Sequence, residues 1–203
     1  MSSTMENVGA SVAGDMHVDS FRQQIKIVGI AKALGLCPAE LAGWNILSIR
    51  GQMNEAPLSL PGARRTKVLL FDDVQTDRQE DGEFAARPED IQAALAFSRE
   101  IEDEPLLIHC AAGISRSTAV AWIIIYDKLK EQPGDAVRRS FDIVRKLRPI
   151  LDPNRHVLRL GIEALVPQES RQAVMQEFCE CLAELERGNP VFFSDDFDED
   201  APS

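Results

Sequence analysis

The chain has 203 residues, of which 44% are hydrophobic and 27% charged, and a formal net charge of −11. That profile suits one soluble domain with a sizeable core, and its acidity argues against nucleic acid and membrane surfaces as partners. No apolar run is long enough to span a bilayer, and Cys37, Cys110, Cys179 and Cys181 fit neither a disulfide framework nor a metal site, which points to a reducing, cytoplasmic setting.

Residues 1–20 are small, polar and mildly acidic, without a charged-then-apolar signal pattern, and read as a disordered leader. A first strand is expected at residues 25–30, a short helix around Pro38-Ala39-Glu40-Leu41, and a second strand at 44–49. Residues 51–62, with two prolines and two glycines, form a loop. A third strand, 67–71, runs straight into Asp72-Asp73, and a polar loop follows to residue 87. Pro88 opens a helix with Glu89 and Asp90 in its first turn and an apolar face of Ile91, Ala94, Leu95 and Ile101.

Pro105 bounds a fourth, wholly apolar strand that ends at His109-Cys110. Beyond residue 117 comes a helix with apolar residues on every face, hence buried, reaching about residue 130. Pro133-Gly134-Asp135 turns the chain into a helix with Val137, Phe141, Val144 and Leu147 at helical spacing. Pro149 and Pro153 end it, and another helix covers 154–165. From 167 to 187 a last helix shows the stripe Val174, Phe178, Leu182 and Leu185; packing on the domain is its default reading, and binding a partner the alternative. The segment 191–203, with five acids between Ser194 and Asp200, reads as a disordered tail. Strands alternating with helices predict an α/β fold: a central, mostly parallel sheet of four to five strands flanked by helices. Ligands in such folds bind beyond the carboxyl ends of the strands, where Asp73 and Cys110 both stand.

The chemistry concentrates in His109-Cys110-Ala111-Ala112-Gly113-Ile114-Ser115-Arg116-Ser117. A cysteine at a strand's end, on a tight loop entering a helix, sits where backbone N–H groups converge and the helix dipole favours an anion. Thiolates are the nucleophilic form of cysteine and are stabilised at helix starts beside cations. Arg116 can grip two phosphate oxygens with its planar fork, Gly113 lets the backbone approach the anion, and the Ser117 hydroxyl can stabilise the thiolate as it leaves. Ala111, Ala112, Gly113, Ile114, Ser115 and Arg116 form the phosphate cradle; neither a metal nor another cofactor is called for.

His-Cys-x5-Arg-Ser resembles the signature of the cysteine-dependent protein tyrosine phosphatases, and Cys-Ala-Ala-Gly-Ile-Ser-Arg-Ser is especially similar to the dual-specificity branch. The resemblance spans roughly residues 24–165, and Asp152-Pro153-Asn154 is similar to the Pro-Asn found between the last two helices in many members. It implies a phosphatase domain over residues 21–166; the helical segment at 167–190 and the acidic tail at 191–203 are read from the residues and lie beyond the resemblance. It also implies a reaction through a phosphocysteine, in which an aspartate some thirty to forty residues before the cysteine protonates the leaving oxygen. Phe71-Asp72-Asp73 resembles the acid loop of phosphoinositide-phosphatase relatives, where the second acid of a similar triplet is catalytic. Asp73 is therefore the expected general acid, with Asp72, Asp77 and Asp81 as rivals that could equally be solvated turn residues.

His109 is expected to bond backbone near the loop and shape the thiolate's surroundings rather than move a proton. Arg138, Arg139, Arg145, Lys146, Arg148, Arg155 and Arg159 read either as a positive rim for phosphorylated partners or, the plainer alternative, as helix surface paired with acids. Arg64-Arg65-Thr66-Lys67, at the far end of the third strand, is expected to be structural, and Tyr126, the only tyrosine, to be core. The expected substrate is a phosphorylated protein or small phosphate ester, with both phosphotyrosine and phosphoserine/threonine admitted. Two alternatives are a phosphatase of a phosphoinositide, nucleotide or metabolite, and a weakly catalytic phosphate-binding module.

Overall fold

In the computed structural model, which describes residues 21–51, 60–76 and 83–188, four strands make one wholly parallel sheet. They are β1 (Ile25–Gly29), β2 (Asn45–Arg50), β3 (Arg65–Leu70) and β4 (Leu106–Cys110), in the order β1-β4-β2-β3. β4 lies between β1 and β2 and all five of its residues are buried, which is why Leu106, Leu107 and Ile108 follow one another without alternating with polar residues. The helices are α1 (Ile30–Leu34), α2 (Pro38–Leu41), α3 (Pro88–Ile101), α4 (Arg116–Leu129), α5 (Ala136–Leu147), α6 (Arg155–Leu165) and, after a short 3-10 turn (Gln168–Ser170), α7 (Arg171–Gly188). The expected leader and tail, and the rival acids Asp77 and Asp81, lie outside the described residues.

Alternation along the strands divides the interior in two. Ile25, Ile27, Leu47, Ile49, Leu69, Ile108 and Cys110 face the main core with α3 to α7, whereas Val28, Ile46 and Leu107 face a smaller core with Ala33 of α1 and Leu41 of α2. α4 runs through the main core, with Val120, Ala121, Trp122, Ile123 and Ile124 all buried, as its all-round apolar sequence requires. Several boundaries differ from the sequence reading by a few residues, and α7 starts at Arg171 rather than 167; two of the differences have a visible cause. β1 stops at Gly29 because the Ile30 N–H leaves the ladder to donate to the Ala111 carbonyl, and Ile30 opens a helix that the pattern did not announce. β3 begins at Arg65, where Arg64 and Arg65 pair with Glu104 and Glu100, each at 2.8 Å.

The stripe on α7 docks on the domain. Phe178 meets Trp122 and Phe141 edge-on at 4.9 and 5.5 Å between ring centres, a favourable aromatic geometry, and Leu182 is buried beside it. Arg138 of α5 grips both carboxylate oxygens of Glu184. Burial pushes the Cys181 thiol up to about 11. Burial, with a hydrogen bond to the Asp135 carboxyl at the head of α5, pushes Glu177 up to about 7. No helix among the described residues is long and apolar enough to cross a membrane.

Candidate active site

The loop from Cys110, the last residue of β4, to Arg116, the first of α4, is turned inside out by its surroundings. The carbonyls of residues 111 to 115 accept hydrogen bonds from outside the loop or from the first turn of α4. Ala111 takes the Ile30 N–H at 2.9 Å, and Ile114 and Ser115 take the N–H groups of Asp152 and Asn154 at 3.1 and 3.3 Å. The Arg148 guanidinium donates to Gly113 at 2.9 Å and to Ala112 at 3.2 Å. The Thr118 hydroxyl reaches back to Ile114 and Ser115. In a trans peptide the carbonyl and the following N–H point in opposite directions. Drawing the carbonyls outward therefore turns the N–H groups that follow them into the cradle, at the positive end of α4.

Cys110 is buried at the floor of this cradle. Its Sγ accepts the Gly113 N–H at 3.2 Å and lies 3.2 Å from Ser117 Oγ, close enough for the hydroxyl to donate to a thiolate. Gly113 has a φ of +74°, and a Cβ there would come within 2.4 Å of the Val28 carbonyl carbon, so conformation and crowding both require glycine. Gly29 is the matching small residue on β1: a Cβ on it would stand 2.8 Å from the Ala112 carbonyl oxygen.

Arg116 is also buried, and its fork is aimed by β3's exit. One terminal nitrogen donates to the Phe71 carbonyl at 3.0 Å, and Nε stands 3.8 Å from Asp73 Oδ2. Asp73 Oδ1 accepts two hydrogen bonds at 2.7 Å, from the Ser115 hydroxyl and from the Asn154 side-chain amide. One carboxylate oxygen is thus engaged by the loop and by the head of α6, and the other faces the arginine. Asp72 is occupied differently: its N–H donates to the Phe84 carbonyl at 2.7 Å and its Oδ2 accepts the Phe84 N–H at 2.9 Å, which ties the two ends of the acid loop together. Of the two adjacent aspartates, Asp73 is the one beside the cradle.

His109 is fully buried, with its side chain on the face of β4 opposite Cys110. Among the basic residues, Arg138, Arg145 and Arg159 pair with Glu184, Asp142 and Glu163, as the plainer reading expects. Arg148 fits neither reading, since it braces the loop from behind; in the sequence it is one member of a basic run, with nothing to set it apart. Asn154, expected from sequence as the first residue of a helix, caps α6 instead by accepting the Val157 N–H at 2.9 Å, and its grip on Asp73 joins positions far apart in the chain and carries no local signal.

No known protein family's sequence model matches the chain, and no curated protein matches it in sequence. Its fold does have solved counterparts. The crystal structure of DUSP15 superposes with a TM-score of 0.50 at 18% identity, covering 80% of this chain and 94% of that one. The Yvh1 phosphatase domain from Chaetomium thermophilum gives 0.48 at 18%, covering 68% and 88%. The human tyrosine phosphatase-like serine/threonine/tyrosine-interacting protein gives 0.46 at 21%, covering 68% and 84%. The chain has the fold of the dual-specificity branch of the protein tyrosine phosphatases, as its signature segment suggested.

Proposed function

We propose that the protein is a phosphatase that hydrolyses phosphate monoesters of proteins through a phosphocysteine. The observation that carries the reading is the convergence of Asp73, Arg116 and Cys110 on one inward-turned loop. The Cys110 thiolate attacks phosphorus in line with the ester oxygen while the loop N–H groups and the Arg116 fork hold the other three oxygens, over which the transition-state charge spreads. With Asp73 Oδ1 occupied by Ser115 and Asn154, Oδ2 carries the proton that passes to the departing oxygen. The resulting carboxylate then takes a proton from water as that water attacks the phosphocysteine. The P–S bond breaks, inorganic phosphate leaves, and the Ser117 hydroxyl stabilises the returning thiolate.

Arg116 is the only basic side chain within residues 110–117. One cation with a ring of N–H groups suits a single phosphoryl group and supports a phosphoprotein ester over a multiply phosphorylated lipid or nucleotide. The test is turnover of an aryl phosphate by the wild type and by Cys110→Ser, with mass analysis of acid-quenched protein for phosphorylated Cys110. The expected result is a phosphocysteine in the wild type and loss of turnover in the variant. Turnover undiminished in Cys110→Ser would leave this reading without its nucleophile.

A further inference from the structure

The acid loop has two ends, and Asn154 holds only the first. We propose that His156, in the first turn of α6, is a positioning residue that fastens the returning end of the loop to the same helix that holds Asp73. The proposal rests on the reading of Asp73 as proton donor. His156 is buried, with only 6% of its surface exposed. Its Nε2 lies 2.8 Å from the carbonyl oxygen of buried Ala86, and its Nδ1 lies 3.1 Å from a terminal nitrogen of Arg159. A guanidinium only donates, so Nδ1 accepts; a carbonyl only accepts, so Nε2 carries the hydrogen. Both neighbours assign the same neutral tautomer, and Arg159 is itself held by Glu163 at 2.7 Å.

The effect reaches Asp73 through a short path. Ala86 lies two residues beyond Phe84, Phe84 is bonded twice to Asp72, and Asp72 precedes Asp73. On the outgoing side, Asn154 holds Asp73 and the Val74 carbonyl, and the Arg155 N–H donates to the Gln75 side chain at 2.9 Å. Residues 154 to 156 therefore grip both ends of the loop, and among the described residues His156 is the one of the three that reaches the returning end, at Ala86. Without it, the stem formed by Asp72 and Phe84 loses its anchor on α6, and the Asp73 carboxyl has freedom to leave the position from which it reaches the ester oxygen.

The experiment compares His156→Leu and His156→Gln in the full chain, by kcat/KM on 4-nitrophenyl phosphate and on phenyl phosphate, whose more basic leaving group depends more on a proton donor. In His156→Leu the value for the phenyl ester is expected to fall about tenfold further than that for the nitrophenyl ester. His156→Gln, whose amide N–H can still donate to Ala86, is expected to recover most of the difference. Equal losses on the two esters, or no loss, would reduce His156 to a core residue and overturn the proposal. Should His156→Leu not fold, Arg159→Met at a half-exposed side chain releases the tautomer without emptying the core; a selective loss of about threefold on the phenyl ester is expected, and its absence overturns the proposal as well. Asp73→Asn, measured alongside, separates the two failures. If it shows no selectivity between the esters, the reading of Asp73 falls; if it does and the His156 and Arg159 variants do not, only the present proposal falls.

Discussion

Asn154 holds Asp73 with one end of its side chain and starts α6 with the other. Its amide nitrogen donates to Asp73 Oδ1 at 2.7 Å, and its carbonyl oxygen accepts the Val157 N–H at 2.9 Å. Replacing it by serine separates the two tasks, because a hydroxyl still caps the helix but is too short to reach Asp73. Asn154→Ser is expected to stay folded, with a Tm within roughly 4 °C of wild type. Its kcat/KM on phenyl phosphate is expected to fall about tenfold, with a smaller loss on 4-nitrophenyl phosphate. Stopped assays on the two esters and a thermal melt check both halves.

The neighbouring aspartates separate by their partners. If Asp73 is the proton donor proposed above, Asp73→Asn should lower kcat/KM on an alkyl or phenyl ester about a hundredfold, and much less on an activated aryl ester. Asp72→Asn retains a side-chain oxygen for the Phe84 N–H and should lower both esters only modestly and in parallel. The reverse pattern in the two variants would move the acid to Asp72.

Arg148 acts on the cradle, not on the leaving group. Hydrogen bonds from a charged donor contribute about 1.5–3 kcal/mol each, and its two go to the Ala112 and Gly113 carbonyls. Arg148→Ala should therefore weaken inhibition by vanadate, an oxyanion that needs the inward N–H groups, by about tenfold, the equivalent of about 1.4 kcal/mol. The ratio of rates on the two aryl esters should be unchanged. Arg148→Lys should recover little, because an ammonium lacks the rigid fork that spans two adjacent carbonyls.

Docking of α7 responds to pH through Glu177. Burial, with the Asp135 hydrogen bond, pushes it up to about 7 from an ordinary value of 4.5, so the folded protein binds this proton more tightly than the unfolded chain does. The stabilisation is fully present below 4.5 and is lost as pH rises through about 7. After allowance for solvent screening of a half-exposed pair it amounts to about 1 kcal/mol. That corresponds to roughly 2–4 °C of Tm between about pH 5 and pH 8. Melts of Glu177→Gln against wild type at the two pH values test this: the variant should lose that part of the decline, and an identical decline in both would refute it.

Much of this architecture is written locally. The unbroken apolar run before Cys110, the all-round apolar helix after Arg116, the glycine at 113 and the Cys–Arg spacing each express a requirement met within a few residues: a strand covered on both faces, a buried helix, a positive φ and a cradle of fixed size. From those the parallel α/β fold and the place of the proposed nucleophile, Cys110, were legible. Tertiary structure decided what depends on groups far apart in sequence. It set Asp73 rather than Asp72 against Ser115, because Asp72 is consumed in closing its own loop on Phe84. It also turned Arg148 from a surface charge into a brace for the cradle. Asn154 and His156 became the clamp on the acid loop only because α6 starts where that loop leaves and returns to the sheet. Hydrogen bonds between side chains far apart in the chain leave no periodicity to read, since their partners are chosen by packing rather than by spacing.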